Sequence, residues 1–363
     1  MIKIFTTDDP FGNAKKHDLA SLVTRGTQWA QSDGLDKVLI GYSSIWTHNF
    51  ATASYLLALT KKIGFIVAHR TGVMHPTAAA RYFATLDALS GGDRVAVNLV
   101  SGSSDKDIHR EGDYEDKLTR YERATEYVEV MKRCWSEPSS FDHQGTFFKA
   151  EGVRHMLRPP RGHVPIYMGG DSDAAVEFGA HHADIYMLLG EPISGTRERI
   201  AKVTKMAKKH QRVPEFSLSL RLFIGETDEA AWAKANEAKQ TILEAQGTNR
   251  FLRSTATDKS VGRERQLAHA AQELHDDCFW TGLVKLLGGF ANTAALVGTA
   301  DRVMASLQKY HDLGVSAFLI TTGVDGFWDA SLEPFLVRMK RELRTPSSPA
   351  ANSISSHGLK EKT

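Results

Sequence analysis

RVAVNLVSG, residues Arg94 to Gly102, is the stretch whose reading decides the fold. Val95, Val97 and Leu99 alternate with Ala96 and Asn98, the period-two pattern of a strand whose two faces meet different surroundings. A helical stretch ending in LDALSGG (86–92) precedes it, and a polar loop, Ser103 to Asp113, follows. An Asn on the inner face just before a turn of small hydroxyl residues is poorly explained by packing. Its amide donates and accepts at once, which suits a heteroaromatic ligand at the strand's carboxyl end. Satisfaction by neighbouring backbone is the competing reading.

Seven further strands read outward from this one: Ile2–Thr7, Lys37–Ser44, Ile63–Arg70, Pro165–Gly170, Asp184–Gly190, Phe216–Gly225 and Ala317–Val324. Helical spacing lies between them, at Leu19–Ser32, Phe50–Leu59, His75–Leu89, Lys117–Trp135, Ser172–Gly179, Thr196–His210, Asp228–Glu244, Ala300–Leu313 and Leu332–Leu343. A small hairpin is expected around Phe141–Phe148. Short apolar strands alternating with helices pair in parallel, because each crossover needs a helix. The expected fold is an α/β (β/α)8 TIM barrel with a helical insertion before the last strand. It forms a single domain over residues 1–345, with the insertion at about Gln246–Phe290 and a disordered tail over 346–363. An open doubly wound sheet is the alternative, disfavoured because no GxGxxG follows the first strand.

The 363 residues carry a formal net charge of +2, with 42% hydrophobic and 24% charged residues. That balance gives no case for nucleic acid or an acidic membrane as partner. Cys134 and Cys278 match no metal-ligand spacing, and no HxxxH or carboxylate cluster suggests a metal. Met1 leads almost directly into a strand-like KIF and no apolar run would span a bilayer, so the expected location is cytoplasmic. No GxSxG elbow supports a serine triad.

In a barrel the candidate site residues sit at the strand ends. Gly169-Gly170-Asp171-Ser172 is the clearest ligand loop, since glycines let backbone approach a ligand and the next helix offers free N–H groups to an anion. A plain helix cap by Asp171 or Ser172 explains the same residues equally well. Asp171 sits awkwardly beside a phosphate, which makes Ser172 the better donor. Arg120 and Tyr121 open a helix and offer a cation and a hydroxyl to the same anion, although a solvated helix face accounts for Arg120 alone. Along Phe216–Gly225 the leucines share one face, and Ser217, Ser219 and Arg221 share the other, expected to look into the barrel. An internal ion pair of Arg221 with a carboxylate such as Asp8 is the competing reading.

RYFATLDALSGGDRVAVNLVSGSS (81–104), TRYERATEYVEVMKRCW (119–135) and PIYMGGDSDAAVEFGAHHADIYMLLGEP (165–192), in this order, resemble the bacterial luciferase-like flavin monooxygenases. Among these the alkanesulfonate monooxygenases are most similar. The resemblance is dense over Lys37–Lys209 and resumes at Thr293–Met304 and in the last strand. It implies a (β/α)8 barrel that uses dioxygen and FMN as FMNH2, supplied by a separate NAD(P)H-dependent flavin reductase. For a sulfonate the products are sulfite and an aldehyde. It also implies a homodimer or homotetramer, a lid at Gln246–Phe290, and a non-proline cis peptide near Val67–Ala68. Carried over by position, Ala68, Asn98, Asp107, Arg120, Tyr121, Gly170 and Ser172 contact the flavin, with Asp107 standing where Glu is usual. The substrate half departs from the pattern. Trp46 replaces the usual Cys, Ser219 and Arg221 replace Arg and His, Gly323 replaces an aromatic hydroxyl, and Asp8 replaces His. Trp46, His48, Arg221 and Trp328 would suit an organosulfur substrate, a sugar sulfonate as well as an alkyl one. The alternatives are the same oxygenase chemistry on another substrate (a sulfone, alkane, amine or chelator), a deazaflavin (F420)-dependent oxidoreductase, and a flavin-binding protein without oxygenase activity.

Overall fold

The computed structural model describes residues 2–8, 18–102, 104–248, 260–289, 293–321 and 329–343. The first half runs β1 (Lys3–Asp8), α1 (Leu19–Gln31), β2 (Lys37–Ile40), α2 (Asn49–Leu59), β3 (Gly64–Arg70), α3 (Pro76–Leu89), β4 (Val95–Val100), α4 (Asp105–His109) and α5 (Lys117–Ser136). A hairpin of β5 (Phe141–Gln144) and β6 (Lys149–Val153) leads to β7 (Ile166–Gly169), α6 (Asp173–His182), β8 (Ile185–Leu189), α7 (Ile193–Lys209) and β9 (Glu215–Gly225). Helix α8 (Asp228–Thr248) follows, and the insertion after it holds α9 (Val261–His269), β10 (Leu274–His275), β11 (Phe279–Trp280) and α10 (Gly282–Leu286). It leads into β12 (Ala295–Thr299), α11 (Ala300–Asp312), β13 (Val315–Thr321) and α12 (Glu333–Glu342).

Eight of these strands close a ring in the order β1-β2-β3-β4-β7-β8-β9-β13, and β13 returns to β1. Every pairing in the ring is parallel. The chain folds as a (β/α)8 TIM barrel, and all eight strands read from the alternation are present. Helix starts follow local chemistry. Pro76 opens α3, where its missing N–H is harmless. Asp116 caps α5 by accepting from the N–H of Leu118 and Thr119.

The two faces of the strands make two cores. Val95, Val97 and Leu99 of β4 pack outward with Tyr127, Val128 and Met131 of α5 in the shell between sheet and helices. Inside, Phe5, Ile66, Ala96, Tyr167, Ile185, Ala317 and Leu319 fill the barrel. The alanines leave room for the large rings, and Phe5 and Tyr167 meet at 5.8 Å between centroids.

Several expectations are corrected. The sequence showed no strand in the insertion, yet β10 and β11 form an antiparallel pair that joins β12, which runs parallel to β9. Two-residue strands are too short for a period, and Ala295 to Gly298 are buried throughout, which erases the alternation. The polar loop after β4 contains α4, capped by the Ser104 hydroxyl. No cis peptide bond occurs among the described residues, so β3 runs through Val67 and Ala68 with trans peptides. The tail at 346–363 lies outside the described residues, as do Gly323, Trp328 and part of the insertion.

Strand β9 is long because it changes partner. Its residues 215–219 pair with β8 and its residues 221–225 pair with β12. The change falls between Ser219 and Arg221. Gly190 fits there because a Cβ would lie 2.5 Å from the Ser219 carbonyl oxygen.

Candidate active site

A cavity of about 410 Å³ opens at the carboxyl ends of β4, β7 and β8. Leu39, Met187 and Leu319 give it apolar walls, and Asn98 lines it from β4. The Asn98 amide is half-buried, and no hydrogen bond engages it among the described residues. The reading in which backbone satisfies this amide is therefore not what the structure shows. Ala68 is its register neighbour on β3 but is not part of the cavity wall.

Glycines shape the next wall. A Cβ at Gly169 would lie 2.4 Å from the Met187 carbonyl oxygen, and one at Gly170 would lie 2.7 Å from the Ala175 Cβ. The Gly170 carbonyl accepts from Tyr186 at 2.6 Å and from Arg199 at 2.7 Å. Arg199 also pairs with Asp171. Burial pushes the Asp171 carboxyl up, with Arg199 opposing.

Three hydroxyls meet beside this loop. Tyr121 from α5, Ser101 just past β4, and Ser172, which opens α6, all line the cavity, and the Tyr121 hydroxyl lies 3.7 Å from where a Gly170 Cβ would stand. Burial pushes the Tyr121 phenol up, with the nearby Ser101 and Ser172 opposing, so it is protonated and able to donate at neutral pH. Ser172 also accepts from the Ala175 N–H at 3.3 Å. It is thus both the helix cap and a cavity residue, and the two readings of this loop hold together. Lys117, one turn before Tyr121 on α5, and Ser260 to Arg263 of the insertion complete the wall. Lys117 was legible as an i, i+4 neighbour of Tyr121. Nothing local marked Arg263.

Other expected site residues stand apart. The buried Arg120 guanidinium donates to the Glu115 carbonyl at 2.6 Å and faces Asp105 at 3.6 Å, away from the cavity wall. Asp107 braces the neighbouring strand end. It pairs with the buried Arg70 and accepts from Ser43 at 2.9 Å and Ser44 at 2.6 Å. Burial works to raise its carboxyl, but the Ser44 and Arg70 hydrogen bonds outweigh it and hold it below the usual range. Trp46 lies over Gly41, where a Cβ would come within 2.9 Å of its ring. His48 is exposed at the start of α2, its ring 5.8 Å from Phe50. Neither lines the cavity.

The Ser-Ser-Arg face of β9 is buried. Phe216, Leu218, Leu220 and Leu222 belong to the outer core, and Ser219 reaches the cavity. Arg221 is 1% exposed, beside Thr321 across the β9–β13 pairing. Asp8, the carboxylate weighed as its partner, pairs with the buried Arg25 at 2.8 Å.

Residues 2–317 match the family model described as luciferase-like monooxygenase. The chain belongs to the luciferase-like monooxygenase family. This luciferase-like monooxygenase is an enzyme of the flavin-dependent class. Its fold is shared with EDTA monooxygenase from Chelativorans sp. BNC1 at a TM-score of 0.71, with 18% identity over 94% of this chain and 93% of that one. A riboflavin lyase solved with modified FMN and riboflavin matches at 0.70, with 19% identity over 94% and 92% of the two chains. An F420-dependent secondary alcohol dehydrogenase matches at 0.66, with 16% identity over 94% and 99%. At these identities the likeness is one of fold. Among the described residues no group of three or more His, Cys, Asp or Glu is arranged to hold a metal, and no helix is long and apolar enough to cross a membrane.

Proposed function

We propose that this luciferase-like monooxygenase binds reduced FMN in the 410 Å³ cavity and cleaves the C–S bond of an organosulfonate. The observation carrying the cofactor reading is the hydroxyl set of Tyr121, Ser101 and Ser172 beside the Gly169-Gly170 loop. A phosphate accepts from such donors, and the unengaged Asn98 amide suits the polar edge of a flavin ring. Gly170 would cradle the phosphate side, and Ala68, beside Asn98, would border the ring side. Lys117 adds a cation at the first turn of α5. Asp107 and Arg120 act behind this wall in our reading, as braces rather than contacts. Leu39, Met187 and Leu319 keep water from the reacting end.

Bound reduced FMN supplies two electrons and activates dioxygen. For a sulfonate RCH2SO3⁻ the balance leaves one oxygen of O2 in the aldehyde RCHO and the other in water, while the broken C–S bond gives bisulfite. Arg221 is the group we assign to the sulfonate, supported by the buried hydroxyls of Ser219 and Thr321 around it. Neither hydroxyl has a partner among the described residues. The reduced flavin would come from a separate NAD(P)H-dependent reductase in the cytoplasm. Reconstitution with FMN, a flavin reductase, NADH and a panel of sulfonates tests the reading through sulfite release. Reduction of substrate by reduced F420 without oxygen, or flavin binding with no turnover, would replace it.

The expected homo-oligomer has a candidate contact. Helix α2 carries no charged residue and exposes Tyr55 and Leu59, and Leu89 at the end of α3 is 82% exposed. Leu89 borders an apolar groove of about 670 Å³ lined also by Leu57, Ala58, Met74 and Ala78. Ridge and groove on one face are what a two-fold contact with a second copy requires. Leu89→Glu is expected to turn a dimer into a monomer in sedimentation analysis. An unchanged mass would remove this face from the assembly.

A further inference from the structure

The insertion was expected to behave as a lid, a mobile cover over the site. Its helix α9 is tied to the segment just past β8. Arg265 of α9 grips Glu191, just past β8, with a bidentate pair at 3.0 and 2.8 Å. Gln266 donates to the Gly190 carbonyl at 2.8 Å. Glu191 is 3% exposed, and the Tyr310 hydroxyl donates to its carbonyl at 2.9 Å. Such a half-buried, doubly bonded pair fixes geometry in a way that a fully exposed ion pair does not.

This clasp fixes where the first turn of α9 lies. Ser260 caps it, and Ser260 to Arg263 form one wall of the cavity. Gly262 lies against the ligand loop so closely that a Cβ would sit 2.4 Å from Asp171 Oδ2. A second observation marks the cavity as a polar binding place. Ser219, 5% exposed, lines it with a hydroxyl that has no partner among the described residues.

We infer that Arg265 is a positioning residue for cofactor binding: its clasp on Glu191 holds the first turn of α9 as the second jaw of the phosphate site, opposite Tyr121 and Ser172. The inference rests on the FMN reading. Phosphate binding and the packing of α9 are then one linked equilibrium, and each strengthens the other by the same factor.

Titration of wild type, Arg265→Gln and Gly262→Val with oxidised FMN and with riboflavin tests this, since the two ligands differ by the phosphate. Both variants are expected to bind FMN about tenfold more weakly and riboflavin unchanged. FMN, or inorganic phosphate alone, should slow amide exchange across residues 260–269 in wild type and much less in Arg265→Gln. Arg265→Lys keeps the charge without the fork and should fall between. Wild type that prefers FMN to riboflavin, with variants that show the same preference, would overturn the inference and leave the FMN reading standing. Wild type with no preference would overturn both. A variant that binds both ligands equally worse, with a lowered melting temperature, would make the clasp merely structural and overturn the inference too.

Discussion

Arg221→Met is expected to lower kcat/KM for sulfite release by roughly 3 kcal/mol, a hundredfold or more, with FMN binding and melting temperature little changed. Methionine keeps much of the volume of a side chain that is 1% exposed, and removes its charge. A sulfonate offers three oxygens that match the planar donors of a guanidinium. Ser219 and Thr321 stand near enough in the strand register to share that anion. The place itself is unusual. Arg221 begins the part of β9 that pairs with β12 rather than β8. If the role is internal pairing instead, the variant loses stability and keeps near-normal turnover.

Ser172→Asp is expected to weaken FMN binding at least tenfold in a fluorescence titration. The substitution isolates charge from fold. Ser172 caps α6, and aspartate caps helices as well as serine does, so the helix start should survive. The new carboxylate would stand next to Asp171 and face a dianion, and two like charges about 4 Å apart repel by up to about 4 kcal/mol near a protein surface. Ser172→Asn keeps the cap without the charge and should bind FMN much more tightly than the aspartate variant. Riboflavin, lacking the phosphate, should bind all three alike. FMN affinity unaltered by Asp would take this loop out of the site.

The sequence showed the barrel because strand alternation is a local property that burial enforces on both faces. Val95 to Leu99 could be read alone, and its neighbours repeated the pattern. The glycine loop proposed for the phosphate was legible for the same reason. Glycines at 169 and 170 and a hydroxyl at 172 are demanded by local geometry, and Tyr121 sits on a helix that the pattern located. Arg120 misled because adjacency in sequence says nothing of direction. One residue of helix rotation sends it to Glu115 while Tyr121 faces the cavity. Trp46 and His48 misled differently, being near a strand end yet outside the cavity. Strand β12 hid because it is buried on both faces, and Arg263 because its place depends on a contact between distant segments. Trp328 lies outside the described residues.

The partner change along β9 bears on how this chain folds. Bringing β13 to β9 directly would close a loop of roughly 90 residues, whereas docking β12 on residues 221–225 first leaves a loop of about 15 to close. Closure entropy grows with the logarithm of length, so that order of events lowers the cost of seating β13 by about 1.5 kcal/mol. In that order of events residues 295–299 would act as a splint, and removing them is expected to slow refolding even where the finished site does not need them.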